Sequence, residues 1–126
     1  DFRQRHIGRI NAKTGAIKLY AAPTPDSAPR RGTMDANDRL WFAEYRANRV
    51  AMFDTQREEF KEWPMPTPWT APYDVVLDKN GEAWTGSMST DRVVRLDPAT
   101  GATVRPPDAA GLIAARGTGQ TGYGTS

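Results

Sequence analysis

The chain has 126 residues, no cysteine and one histidine, so it can build the core of one domain. Disulfide frameworks, zinc–thiolate sites, cysteine nucleophiles and any chemistry needing two imidazoles are excluded. Charged residues make up 25% of the sequence and the formal net charge is +2, yet residues 1–49 hold ten Lys/Arg against five Asp/Glu while residues 50–92 hold four against eight. The arginines form no dense tract and no apolar run nears the roughly 20 residues of a membrane helix, so neither nucleic acid nor membrane is an expected partner. The compartment stays open between cytoplasm and periplasm.

The chain opens on DFRQRHIGRI, with no initiator Met, apolar leader or small-residue cleavage motif, and reads as a piece of something longer. His6 stands just before the first predicted strand. The Pro23-Thr24-Pro25 segment that follows forbids a continuous helix. PRRGTMD is then predicted as an inner strand and LWFAE as its antiparallel neighbour. From Val50 the pattern starts again: VAMFD, FKEWPM, PYDVVLD and EAWTGSM are short strands separated by TQREE, PTPWTA and KNG. Asn80-Gly81 predicts a type I′ hairpin turn.

Residues 7–49 lie on residues 50–92 without a gap. Lys18/Lys61, Pro23/Pro66, Thr24/Thr67, Pro25/Pro68, Ala28/Ala71, Pro29/Pro72, Asp35/Asp78, Asn37/Asn80, Trp41/Trp84 and Arg49/Arg92 are identical, each pair 43 residues apart. A third copy begins at Val93, where VVRLDPATGA echoes IGRINAKTGA. A period of about 40–45 residues holding four short strands is that of a β-propeller blade. The expected fold is therefore all-β: four-stranded antiparallel blades in an incomplete propeller of about two and a half, with units 7–49, 50–92 and the start of a third at 93–106. Residues 107–126 are rich in Gly, Ala and Thr, have few apolar anchors, and are expected to be disordered.

The segments IGRINAKTGAIKLY, PTPDSAP and DANDRLWFAEYRANR resemble the blade consensus of the streptogramin B lyases, also called virginiamycin B lyases. The likeness covers residues 7 to about 106. It implies a seven-bladed propeller and a magnesium-assisted elimination that opens the ester link of a cyclic depsipeptide antibiotic without hydrolysis. Such a reaction needs a base beside a carbonyl and a cation or strong donors for the developing enolate-like charge. Both would meet at the mouth of the central channel.

The hairpin reading puts Arg30 and Glu44 at one rim, facing each other, with Tyr73 and Ser87 as the equivalent pair one blade on. In the family this pair of positions carries the catalytic histidine and a metal-linked glutamate. Here only the acid remains, as Glu44, the expected magnesium ligand, while Arg30, Tyr73 and Ser87 are the expected substrate-binding residues. No catalytic residue is assigned, because the one histidine, His6, occupies the position of Arg49 and Arg92. A direct Arg30–Glu44 ion pair would make Glu44 a poor ligand. Trp41 and Trp84 are expected to pack between blades, and Asp35 and Asp78 to form hairpin turns. The expected partners are a small-molecule or peptide ligand at the rim, and either the remaining blades of a longer chain or a second copy.

Overall fold

A computed structural model describes residues 5–88 and 93–104. Ten strands run in chain order: β1 His6–Ile10, β2 Ile17–Ala21, β3 Pro29–Met34, β4 Arg39–Glu44, β5 Arg49–Asp54, β6 Glu59–Pro64, β7 Pro72–Leu77, β8 Ala83–Ser87, β9 Val93–Leu96 and β10 Thr103–Val104. They form a two-stranded hairpin β1-β2 and two four-stranded sheets, β3-β4-β5-β6 and β7-β8-β9-β10. Every pairing is antiparallel. The fold is all-β, with about two and a half blades of a propeller. Arg92 and the segment 107–126 lie outside the described residues.

The frame of the sheets is offset from the frame of the repeat. Unit 7–49 begins with the hairpin β1-β2 and ends with β3 and β4, which join β5 and β6 of the next unit in one sheet. The blades are therefore 29–64 and 72–104, and β1-β2 has the pairing of β5-β6 and β9-β10, the outer half of a blade.

The turns repeat with the strands. Asn11, Asp54 and Asp97 each close a β-turn by accepting backbone N–H groups on the side chain, from Lys13 and Thr14, from Gln56 and Arg57, and from Ala99. Four residues after each, Gly15, Glu58 and Gly101 take positive φ of 75°, 57° and 75°. The turn at Asn80-Gly81 is not type I′. Gly81 N–H bonds the Asp78 carbonyl, Asp78 N–H bonds the Glu82 carbonyl, and only Gly81 has positive φ. This is a type I turn closed by a left-handed residue, the geometry of a three-residue loop. Asp38 takes the same role in the preceding blade at φ 60°.

Sheet β3–β6 is covered on both faces, which is why β4 reads as a nearly continuous apolar run. Trp41, Ala43, Val50 and Met52 face the second sheet and pack with Met65, Val75, Ala83, Val94 and Leu96. Phe42, Ala51 and Phe53 face the other way, against Ile7 and Tyr20 of the hairpin and Leu40 and Phe60 of their own sheet. Trp41 is buried and stacks on Trp63 at 5.4 Å with 9° between the rings. Trp84 is only half-buried, because among the described residues no sheet covers its face.

Candidate functional site

The rim is the sheet end where Pro29, Glu44, Arg49 and Pro64 lie in one row, opposite the Asp35 turn. Its partners differ from expectation by one residue. Glu44 stands opposite Pro29, not Arg30, and Ser87 opposite Pro72, not Tyr73. In both blades the register shifts just after the proline, between Pro29 and Gly32 and between Pro72 and Val75. Such a bulge re-aims the side chains around it. Arg30 and Arg31 accordingly both reach Tyr73 on the neighbouring inner strand, with their guanidinium carbons 5.9 and 5.8 Å from its ring centre. The structure thus brings Arg30 and Tyr73 together, with Arg31 beside them, at distances at which a cation is attracted to the ring face.

Glu44 and Ser87 turn elsewhere. The crossing loop 22–28 leads from the hairpin to β3, and Glu44 is fully buried beneath it with the equally buried Ser27. No Arg30–Glu44 ion pair forms among the described residues. Neither Glu44 oxygen, nor Ser27 Oγ, closes a hydrogen bond. Burial pushes the Glu44 carboxyl up to about 8, the Glu62 carboxylate adds to the rise, and the Ser27 hydroxyl and the Arg49 charge oppose it. Glu62 is itself tied to the crossing loop by the Thr24 hydroxyl at 2.6 Å and the Thr24 N–H at 3.3 Å. One blade on, Ser87 donates its hydroxyl to the Thr70 carbonyl, fastening β8 to the loop before β7.

These surroundings do not fit magnesium at Glu44. That ion takes about six oxygens and keeps several waters, whereas Glu44 is sealed from solvent, and among the described residues no three His, Asp or Glu side chains converge. His6 is exposed on the outer hairpin, opposite Ala21. It takes the place that Arg49 has in the next sheet, on a strand of the outer half of the blade and not on an inner strand.

Trp69 escaped the reading of the sequence. It sits in the loop before β7, at the same end as Tyr73, 84% exposed and at φ 61°. The repeat carries the signal, since Trp69 replaces Asp26, which has φ 56° and pairs with Arg46 at 3.1 Å. A bulky residue held in the left-handed region is strained. The loop shape is common to both copies, and the exposed indole is what distinguishes the second.

The model of the virginiamycin B lyase family matches residues 2–106. The crystal structure of selenomethionine-substituted virginiamycin B lyase from Staphylococcus aureus is 29% identical with a TM-score of 0.76, over 86% of this chain and 36% of that one. A streptogramin B lyase structure is 26% identical with a TM-score of 0.78, over 86% and 35%. A catalytically inactive histidine-to-alanine variant of the Staphylococcus aureus enzyme, with quinupristin, is 28% identical with a TM-score of 0.75, over 86% and 36%. The chain spans about a third of the length of these solved structures. No curated protein matches it.

Proposed function

The chain belongs to the virginiamycin B lyase family, and on that footing we propose that it forms part of the ligand-binding rim of a lyase-like propeller whose proton-abstracting base lies outside the described residues. The observation that carries this reading is the convergence of Arg30, Arg31 and Tyr73 at the inner-strand ends. The ligand is a cyclic depsipeptide of the streptogramin B type. The exposed Arg31 guanidinium offers N–H donors to its carbonyl oxygens, and the exposed Trp69 offers an apolar face.

In this reading the whole protein opens the ester ring by elimination. A base takes the proton next to a carbonyl, the electron pair forms a carbon–carbon double bond, and the ester C–O bond breaks to release the carboxylate. Magnesium, held outside the described residues, would stabilise the charge that develops. Glu44 enters as a buried neutral acid and not as a ligand. Its sealed position, together with the outward placement of His6, favours a second reading in which the rim binds a ligand or protein without lyase chemistry.

The test combines equilibrium dialysis of a streptogramin B against the full chain with mass spectrometry of the same mixture containing magnesium. Binding without an isobaric ring-opened product is expected. Ring opening at an enzymatic rate would show that the base is present in this chain, and absence of binding would remove the rim assignment. Between the two readings the encoding gene decides, since a blade with histidine at the Arg30 position and glutamate 14 residues later favours the lyase.

A further inference from the structure

Loop 65–71, which carries the chain from β6 to β7, is held from one residue. Asn48, in the turn between β4 and β5, accepts the Met65 N–H on its carbonyl at 2.9 Å. Its side-chain amide donates Nδ2–H to the Thr67 carbonyl at 2.9 Å and accepts the Ala71 N–H on Oδ1 at 3.2 Å. Asn48 itself takes φ 57°, where asparagine is tolerated better than most residues. Thr70 adds a bond from its hydroxyl to the Thr67 carbonyl, and Ser87 bonds the Thr70 carbonyl. Between these fixed points stands Trp69, 84% exposed and at φ 61°. No ring or cation of the described residues lies against its indole.

Loop 22–28 of the preceding copy is tied differently. Arg5 has the repeat position of Asn48, and its carbonyl takes the Ala22 N–H at 2.7 Å. A guanidinium has no acceptor, so the Arg5 side chain cannot hold the Ala28 N–H as Asn48 holds that of Ala71. That loop is fastened through Thr24 to Glu62, and Asp26 pairs with Arg46. The amide clamp and the exposed indole therefore occur together, in one of the two loops.

We infer that Trp69 is a stacking platform for an uncharged aromatic ring of the ligand, and that Asn48 is the positioning residue that holds it at the rim. Leaving an indole in water at a left-handed backbone position costs stability, and strain of this kind gathers at ligand sites. The flat face of the indole takes a second ring in offset stacking. The exposed Arg31 guanidinium at the same end of the sheets disfavours a cation as the guest. A loop already fixed by Asn48 has less freedom to lose when the ring docks. This inference rests on the rim reading above for its location, and it adds the chemical class of the group bound and the residue that orients its contact.

The test is an NMR titration of the full 15N-labelled chain with N-acetyl-L-phenylalaninamide and, separately, with N-acetyl-L-leucinamide, reading the indole Nε1–H signals and the amides of loop 65–71. A saturating shift of the Trp69 indole signal is expected with the aromatic amide and not with the aliphatic one. Trp69→Asp, which places the residue of the first loop in the second, should weaken binding about tenfold, while Trp69→Phe should keep most of it. Asn48→Gly tolerates the left-handed φ and removes the side-chain amide. It should weaken binding about fivefold and lower the heteronuclear NOE of the Trp69 indole, with those of Trp41 and Trp84 unchanged. Equal shifts with both amides, or shifts that never saturate, would overturn the platform. Binding by Asn48→Gly as tight as that of the parent chain would overturn the positioning role. The two readings fail separately. Streptogramin binding undiminished in Trp69→Asp removes the platform alone, and binding of the aromatic amide without streptogramin binding removes the family-based ligand alone.

Discussion

Asp35 accepts the indole N–H of Trp41 at 2.9 Å, and Asp78 accepts that of Trp84 at 2.8 Å in the next blade. One carboxylate oxygen holds the indole, and the other holds the turn through the N–H groups of Asn37 and Arg39, or of Asn80 and Glu82. A single side chain therefore links the hairpin turn to the tryptophan of the strand that leaves it.

The first prediction concerns that link. Asp35→Ala leaves the Trp41 N–H and two turn N–H groups without their acceptor, and should cost about 2–3 kcal/mol in denaturant melts. The pH dependence has a definite sign. Burial works against the charge on Asp35 and Asp78, but hydrogen bonds from the indole and the turn outweigh it and hold both carboxyls below the usual 3.8. Their contribution is present above that value and is lost as pH falls through the lower folded-state values. Melting temperatures should drop on strong acidification, and less so in Asp35→Ala and Asp78→Ala. An unchanged acid limb in both variants would contradict the assignment.

Glu44 predicts the opposite slope. Its folded-state pKa of about 8 lies above the ordinary 4.5, so the folded chain holds a proton that the unfolded chain releases. The stability from this group is fully present below pH 4.5 and declines as pH rises toward 8. Glu44→Gln, neutral at every pH and of similar shape, should flatten that limb of a stability-versus-pH curve. A limb of undiminished slope in this variant would show that another group is responsible.

Trp41 and Trp84 hold equivalent places under unequal cover. Trp41 is buried between the sheets and stacked on Trp63, whereas Trp84 is half-buried. Trp41→Ala should cost about 3–5 kcal/mol, and Trp84→Ala about half as much, in proportion to the surface each removes from water. Equal costs would mean that something covers Trp84 in solution.

The outer faces of the wedge predict association. Ile10, Ile17 and Leu19 are each about two-thirds exposed on one side, and Val76 is 56% exposed beside Trp84 on the other. Ile10 is the repeat equivalent of Phe53 and Leu96, both buried, so its face has the character of a blade interface. Sedimentation velocity should show concentration-dependent self-association, and Ile17→Lys with Leu19→Lys should suppress it. A monomer at every concentration would overturn this.

How much of the site was legible divides along the same line as the fold. Arg30 and Tyr73 could be placed at one rim from their positions at the starts of equivalent strands. The one-residue slip that sets Glu44 opposite Pro29 could not, because a bulge changes the backbone count without leaving a mark in the apolar pattern. Glu44 and Ser87 share a repeat position, yet one carboxyl is buried without a hydrogen bond and the other side chain bonds the Thr70 carbonyl. That difference comes from the loop above each of them.

The sequence by itself determined the 43-residue period, the strands, the Asp35 and Asp78 turns and the inward role of Trp41, since alternation and turn chemistry act over a few residues. Only the tertiary structure decided where one blade ends and the next begins. A repeat looks the same from whatever residue it is cut, so its period carries no frame. The frame comes from pairing: β4 and β5 are joined by a tight turn and share a ladder, while loop 22–28 carries the chain from β2 to a different sheet. Burial of Glu44 and exposure of Trp69 are likewise decided by what lies above each residue once the sheets have stacked, through contacts among distant parts of the chain that no local pattern records.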